Sequence, residues 1–317
     1  MRFSDGRVAS LRRAAGPGPH DGLVVTPAFV DAHVHATATG LLVDGLDLAG
    51  CLSPAALLDA VAGRARARPG ALIWGHGWQD LDWSVPDRAA LDRAAADCPV
   101  YLSRVDVHSA LVSSTLLTRA PAAVGAVGWS DGPLSADAHH HARRAALAAV
   151  DTGTRAAAQE AFLRAAAAVG IGVVHECAGP DISSVDDLAA LVARSRADPR
   201  SPRVVPYWGQ AVAGAAEARE LLAATGAHGL AGDLFVDGSL GSHTAALRLP
   251  YADAPGCHGH PHLDAGAVGA HVAACTEAGV QAGFHVIGDA AADTLVAGLR
   301  HAARRASPLF SPSSQTL

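Results

Sequence analysis

From residue 155 onward the chain repeats one pattern: an alanine-rich stretch, a glycine, then a short apolar run. "RAAAQEAFLRAAAAVG" leads to "IGVVHECAGP", "AVAGAAEARELLAATG" to "AGDLFVDGSLG", and "DAGAVGAHVAACTEAG" to "VQAGFHVIGDAA". A further apolar run, "RVVPYWGQ", follows the helical "SSVDDLAALVARSRA". Alanine favours helix, and a glycine in the left-handed conformation stops it. Runs that alternate with helices and are apolar on both faces are strands of a parallel sheet. Five are expected, near 24–35, 171–177, 203–209, 232–237 and 280–286, and each ends in polar or small residues: "HVHATATG", "HECAGP", "WGQ", "DGSLG", "HVIGD".

The carboxyl ends of parallel strands in a βα barrel meet on one face, and that face carries the chemistry. The reading is therefore an α/β, TIM-like barrel with about five strands. Residues 41–154 interrupt the pattern with "ALIWGHGWQDLDW" and "CPVYLSRVDVHSALVSS", an insertion between the first and second barrel strands. Trp74, Trp78, Trp83, Arg104 and His108 lie in it. They are read either as a lid over the site or as ordinary packing of a side domain, with Trp78, Arg104, His108 and, beyond the insertion, Asp237 the substrate-binding candidates. Residues 301–317 turn to serine and proline and are expected to be an unstructured tail.

The chain is 50% hydrophobic with a formal net charge of -6, so it can bury a large core but offers no basic surface to nucleic acid or anionic membrane. A small-molecule substrate is expected instead. The first 22 residues hold no apolar signal-peptide core, and no run approaches the length that spans a bilayer, so a cytoplasmic location is expected. Five cysteines without a C-x-x-C suit reduced thiols acting as small buried hydrophobes.

"PAFVDAHVH" places Asp31, His33 and His35 at the end of the first strand, where alternate residues share a face. Two imidazoles so spaced suit a divalent first-row metal such as zinc. With 17 histidines, though, roughly one His-x-His is expected by chance, and others occur in "AHHHA" and "CHGHPHL". What separates the first pair from these is a third imidazole, His285, ending the fifth strand.

"PAFVDAHVH", "GHGW", "VYLSRVDVHSALVSS", "GVVHE", "DLFVDGSLGSHTAAL", "PYADAPG" and "FHVIGDAA" occur in that order. In this the chain resembles the amidohydrolase family 3 (YtcJ-like) branch of the metal-dependent amidohydrolase superfamily, over about residues 23–300. The resemblance implies a (β/α)8 barrel beside a small β domain, of which residues 1–22 would be a remnant. It further implies one or two metal ions that activate water to hydrolyse amide-like C–N bonds, of N-acyl or N-formyl amine type. By position His33 and His35 match the first-strand metal ligands and His285 the fifth-strand ligand.

Two departures accompany the resemblance. The family's fourth strand commonly carries a lysine whose carbamate bridges two metals; here Asp233 stands at that position, before Asp237, and the chain has no lysine at all. Any bridging oxygen must come from elsewhere, with Glu176 the first candidate, and Asp233 or Glu176 is read as further ligand or base. Asp289 is expected to cap the helix that follows it. The family's sixth-strand histidine and eighth-strand aspartate motifs are missing from the 317 residues. The barrel is therefore expected to be incomplete, about five of eight strands. Its first and fifth strands would then present open edges on which a homo-oligomer can form. The alternative to a hydrolase is an inert fragment or a non-catalytic metal-binding module.

Overall fold

The computed structural model describes residues 1–4, 7–12, 16, 22–43, 45–79, 82–180 and 182–306. Along the chain, β1 (Arg2–Ser4) and β2 (Arg7–Ser10) form an antiparallel pair, followed by β3 (Phe29–Val34) and α1 (Ala36–Val43). The insertion follows as β4 (Leu46–Asp47), α2 (Pro54–Ala67), β5 (Ile73–Trp78), α3 (Arg88–Ala95), β6 (Val100–Arg104), β7 (Ser109–Val112), α4 (Ser114–Leu117), β8 (Leu134–Ser135) and α5 (Ala136–Ala148). Regular βα units then resume: α6 (Thr152–Ala168), β9 (Ile171–Ala178), α7 (Val185–Ala197), β10 (Arg203–Trp208), α8 (Ala215–Thr225), β11 (Gly229–Leu230), α9 (Ala265–Ala278), β12 (Gln281–Ala282) and α10 (Asp289–Ala306).

The expected five-stranded parallel sheet is present in the order β12-β11-β10-β9-β3, which makes β3 and β12 its edges among the described residues. It is part of a barrel, an α/β fold whose helices cover the outer face. Val34, Phe162, Leu163, Val174, Leu191 and Val204 pack in one cluster between strands and helices. Each such side chain contributes about 1.5–3 kcal/mol by leaving water. The helix boundaries follow from local chemistry. Ser184 and Asp264 accept the backbone N–H groups of Asp187 and Ala267 as N-caps. Gly226 and Gly279 close α8 and α9 in the left-handed conformation, as their sequence positions suggest.

The insertion builds a second, mixed sheet, β4-β5-β6-β7-β8, parallel over its first three strands and antiparallel thereafter. Its own core holds Leu48, Leu57, Ile73, Trp78, Leu91 and Leu102.

Three expectations need correction. The fourth strand is not a regular run over 232–237. Its ladder is Gly229–Leu230, and beyond it only Phe235 bridges to His285. Gly232 interrupts it at φ +91°, where an added Cβ would lie 2.8 Å from Cβ of Cys177. Residues 301–306 finish α10 instead of opening a tail, and the rest of the expected tail lies outside the described residues. Asp289 is the first residue of α10, and its Oδ1 accepts the N–H of Arg248 at 2.9 Å, tying a loop to the helix in place of capping it.

Candidate metal centre

The carboxyl end of β3 departs from simple alternation. Its register against β9 runs Asp31↔Val174 and then Val34↔Glu176, so three steps on β3 span two on β9. This bulge turns His33 relative to Asp31, whose Oδ1 accepts the His33 N–H at 3.3 Å. Immediately after His35, α1 begins, and its first turn is fixed twice. The Ala36 N–H donates to Glu176 Oε2 at 2.7 Å, and the Thr37 hydroxyl donates to Asp187 Oδ2 at 2.8 Å. Gln159 and Arg155 complete the cage around Asp187. The strand end that carries the histidines is thus held by buried groups from β9, α6 and α7.

Asp233, just past β11, comes up beneath both rings. Nε2 of His33 lies 3.2 Å from Asp233 Oδ1, and Nε2 of His35 lies 3.0 Å from Oδ2. One donor atom from each of the three residues falls within 4.8 Å of the others, and among the described residues they form the one such set that could hold an ion. Burial pushes the Asp233 carboxyl up, but the two imidazoles outweigh it and hold its pKa well below the ordinary carboxylate range. The His33 imidazole is raised to about 10, first by Asp233 and then by Cys177.

His285 does not belong to this set of three. Its Nδ1 is 3.8 Å from Asp233 Oδ1, on a ring whose Nε2 lies 3.0 Å from the carbonyl of Gly238. A carbonyl can only accept, so Nε2 carries a proton and donates it there, which leaves Nδ1 facing the carboxylate. The expectation that His33, His35 and His285 share a single ion is therefore modified: Asp233 joins the β3 pair, and His285 approaches the same carboxylate.

Glu176, the first candidate for a bridging oxygen, lies outside the set. It is 3% exposed and spent on the Ala36 N–H, and burial pushes its pKa up to about 8. Asp237 is fully buried: Oδ2 accepts the N–H groups of Ala246 (2.8 Å) and Gly288 (2.7 Å), and Oδ1 that of Ile287 (2.9 Å). With all these bonds to backbone, it fastens the segment after His285 and has no substrate contact to make. Trp78 is likewise fully buried, its indole N–H donating to the Leu102 carbonyl at 2.9 Å, and it packs the inserted sheet instead of covering the site. Trp74 and Trp83 also pack within the insertion. Arg104 pairs with Asp106 at 3.1 Å, and Asp106 accepts the hydroxyls of Ser239 and Ser242, so the arginine holds the carboxylate that ties the insertion to the loop after Asp237.

His108 does reach the site. It lines a cavity of about 230 Å³ together with His33, His35, Asp233 and His285. Burial, then His285, lowers its pKa to about 4, so the ring is neutral at pH 7. It is delivered by a turn in which Val107 adopts φ +57°, a left-handed conformation costly for a β-branched residue. Phe235 and Val107 supply apolar wall. The remaining lining residues are His139, His140 and Arg143, all from α5, and sequence reasoning missed them. The signal was present in "AHHHARR": positions 139 and 143 are one helical turn apart.

A half-barrel that brings a His-x-His strand end and a carboxylate into one cleft has the construction of metal-site α/β barrels. The chain belongs to the amidohydrolase family, whose model matches residues 21–310. It is 27% identical over 295 residues to the Bacillus subtilis (strain 168) protein named "Putative amidohydrolase YtcJ", covering 86% of this chain and 54% of that protein. It is 29% identical over 136 residues to "Protein LONG AFTER FAR-RED 3" of Arabidopsis thaliana, covering 41% of this chain and 23% of that one. Its fold is similar to that of an uncharacterized metal-dependent hydrolase from Pyrococcus horikoshii OT3, at TM-score 0.63 and 22% identity, over 86% of this chain and 56% of the other. A second, from Pyrococcus furiosus, superposes at TM-score 0.60 with 24% identity, over 87% and 58%. The chain thus spans about half the length of YtcJ and of these two structures. Among the described residues no helix is long and apolar enough to cross a membrane.

Proposed function

We propose that the chain carries the metal-holding part of a hydrolase that cleaves amide-like C–N bonds of a small N-acyl or N-formyl amine with activated water. The observation that carries this reading is the convergence of His33, His35 and Asp233 within 4.8 Å. The fit to a cation rests on Asp233 Oδ1, a buried oxygen without a hydrogen-bond partner although His33 Nε2 is 3.2 Å away. Two imidazoles and a carboxylate are a donor set suited to a divalent first-row ion, zinc foremost. Such an ion, when bound, supplies Lewis acidity that lowers the pKa of water and polarises a carbonyl.

The chain's own residues do the rest. Asp233 stays ionised and draws both imidazoles inward. The Gly238 carbonyl accepts the Nε2–H of His285 and holds that ring with Nδ1 toward Asp233. Neutral His108 and the Phe235 ring narrow the cavity and limit water. His285, whose Nδ1 approaches Asp233 from outside that set, would with Asp233 hold a second ion, which fits the one or two ions that the family resemblance implies. A cytoplasmic location suits a chain whose five cysteines are free thiols.

The test is a panel of N-acetyl and N-formyl amines, assayed with the purified full chain after chelation and after adding back zinc, manganese or cobalt. The reading expects hydrolysis that returns with metal and disappears in His33→Ala. Absence of turnover with every ion, while the metal still binds, would favour the alternative, a non-catalytic metal-binding module.

A further inference from the structure

Arg143 is the charged group in the cavity that nothing in the preceding account uses. It is 7% exposed, lies on α5, and lines the same cavity as His33, His35, Asp233 and His285. Arginine stays protonated at any working pH. Burying its charge is costly unless an anion or a set of acceptors meets it. Elsewhere in this chain inward-facing arginines are met: Arg155 by Asp187 and the Leu147 carbonyl, Arg104 by Asp106, Arg88 by the Ser130 carbonyl. Among the described residues Arg143 has neither a carboxylate within ion-pair distance nor a hydrogen-bond acceptor.

Its neighbours sharpen the point. His139, one turn earlier on α5, accepts or donates a 2.8 Å bond with the Tyr101 hydroxyl and has its pKa lowered well below the ordinary value, by burial first and then by His140 and Arg143. His108 is neutral as well. The α5 side of the cavity therefore carries the Arg143 charge beside the neutral His139, while the β3 side holds the ionised Asp233 with the His33 imidazole paired against it. A planar guanidinium with no internal partner, opening onto a cavity of about 230 Å³, is built for a small planar anion.

We infer that Arg143 binds a carboxylate of the substrate, so that the hydrolase reading narrows to small N-acyl amino acids as the substrate class. This deepens the function proposed above and rests on it for the word substrate. The binding claim stands separately, because it concerns α5 and not the ion.

The experiment separates the two. The full chain is stripped of metal with chelator, and binding of N-acetylglycine and of its uncharged analogue N-acetylglycinamide is measured by ligand-observed NMR, with no turnover needed. The expected result is that N-acetylglycine binds at least about tenfold more tightly than the amide, since a charge-assisted bidentate pair is at stake. Arg143→Gln removes that preference, Arg143→Lys retains part of it, and Arg200→Gln, at an exposed arginine outside the cavity, leaves it in place. A cooperative melt of each variant shows that it is folded, and the lysine variant carries the test if glutamine does not fold. Equal binding of acid and amide, binding of neither, or a preference that survives in Arg143→Gln overturns the inference. If hydrolysis fails with every ion while the Arg143-dependent preference holds, the enzymatic reading falls and the anion site remains.

Discussion

Replacing Asp237 by asparagine asks whether this residue is scaffold or substrate contact. Its two oxygens accept three backbone N–H groups, from Ala246 at 2.8 Å, Gly288 at 2.7 Å and Ile287 at 2.9 Å, at a position with no solvent exposure. Asparagine has one acceptor oxygen. In its better orientation it keeps the two bonds of Oδ2 and turns an NH2 group toward the Ile287 N–H. Losing that charge-assisted bond costs about 1.5–3 kcal/mol, and leaving buried donors face to face adds about 1–3 kcal/mol. The two surviving bonds also weaken on becoming neutral. Asp237→Asn should therefore destabilise the chain by about 4 kcal/mol, a large part of the total stability of a typical domain. In urea, with a slope of about 3 kcal/mol/M, the midpoint should fall by more than about 1 M. Far-UV circular dichroism across a urea series measures this. A midpoint within about 0.2 M of wild type, which that slope equates with about 0.6 kcal/mol, accompanied by a raised KM on an active substrate, would refute the scaffold argument and restore Asp237 to the substrate.

Glu176→Gln keeps an acceptor for the Ala36 N–H while removing a titrating group. Burial raises the folded-state pKa of Glu176 to about 8, so its contribution is full below the unfolded value of about 4.3 and is lost as pH rises from there through 8. The stability of wild type relative to Glu176→Gln should fall across that window, and a difference that is constant with pH in denaturation curves would count against it. Trp78→Ala should cost about 3–5 kcal/mol in the same denaturation assay, as expected for emptying a core site, and a stability loss near zero would return Trp78 to a lid. The exposed β3 edge, with Phe29 at 62% and Val30 at 56% exposure, should drive self-association that light scattering after size exclusion detects. A strictly monomeric profile at all concentrations would contradict that.

The sheet order was legible in sequence because parallel strands here are apolar on both faces and each helix between them ends on a turn residue. The insertion was visible only as an interruption. Its strands pair in a mixed sheet whose hydrophobic pattern does not announce partners. For the site, His33 and His35 were readable from strand-end position, yet their orientation was not, since the bulge between Asp31 and Val34 is a matter of register against β9. Sequence put Glu176 first for a bridging oxygen, whereas Asp233 is the carboxylate beside the β3 histidines. The choice depends on Gly232 bending the chain toward Cys177 and on the Ala36 N–H claiming Glu176, both contacts between distant segments. Asp237 reads as a substrate-binding residue at a strand end, and only the return of Ala246, Ile287 and Gly288 around it shows what it holds. Arg143 and His139 sit on a helix of the insertion, and helical spacing alone does not say which cavity that helix roofs.

Metal titration of the chelator-treated full chain with zinc tests the central claim most directly, read by calorimetry and checked by metal analysis after gel filtration. The account predicts that wild type takes up a divalent ion and that His33→Ala, His35→Ala and Asp233→Ala each lose at least about 100-fold in affinity, beyond what removing an outer-shell partner costs. Three variants that bind zinc as tightly as wild type would show that these side chains hold no ion.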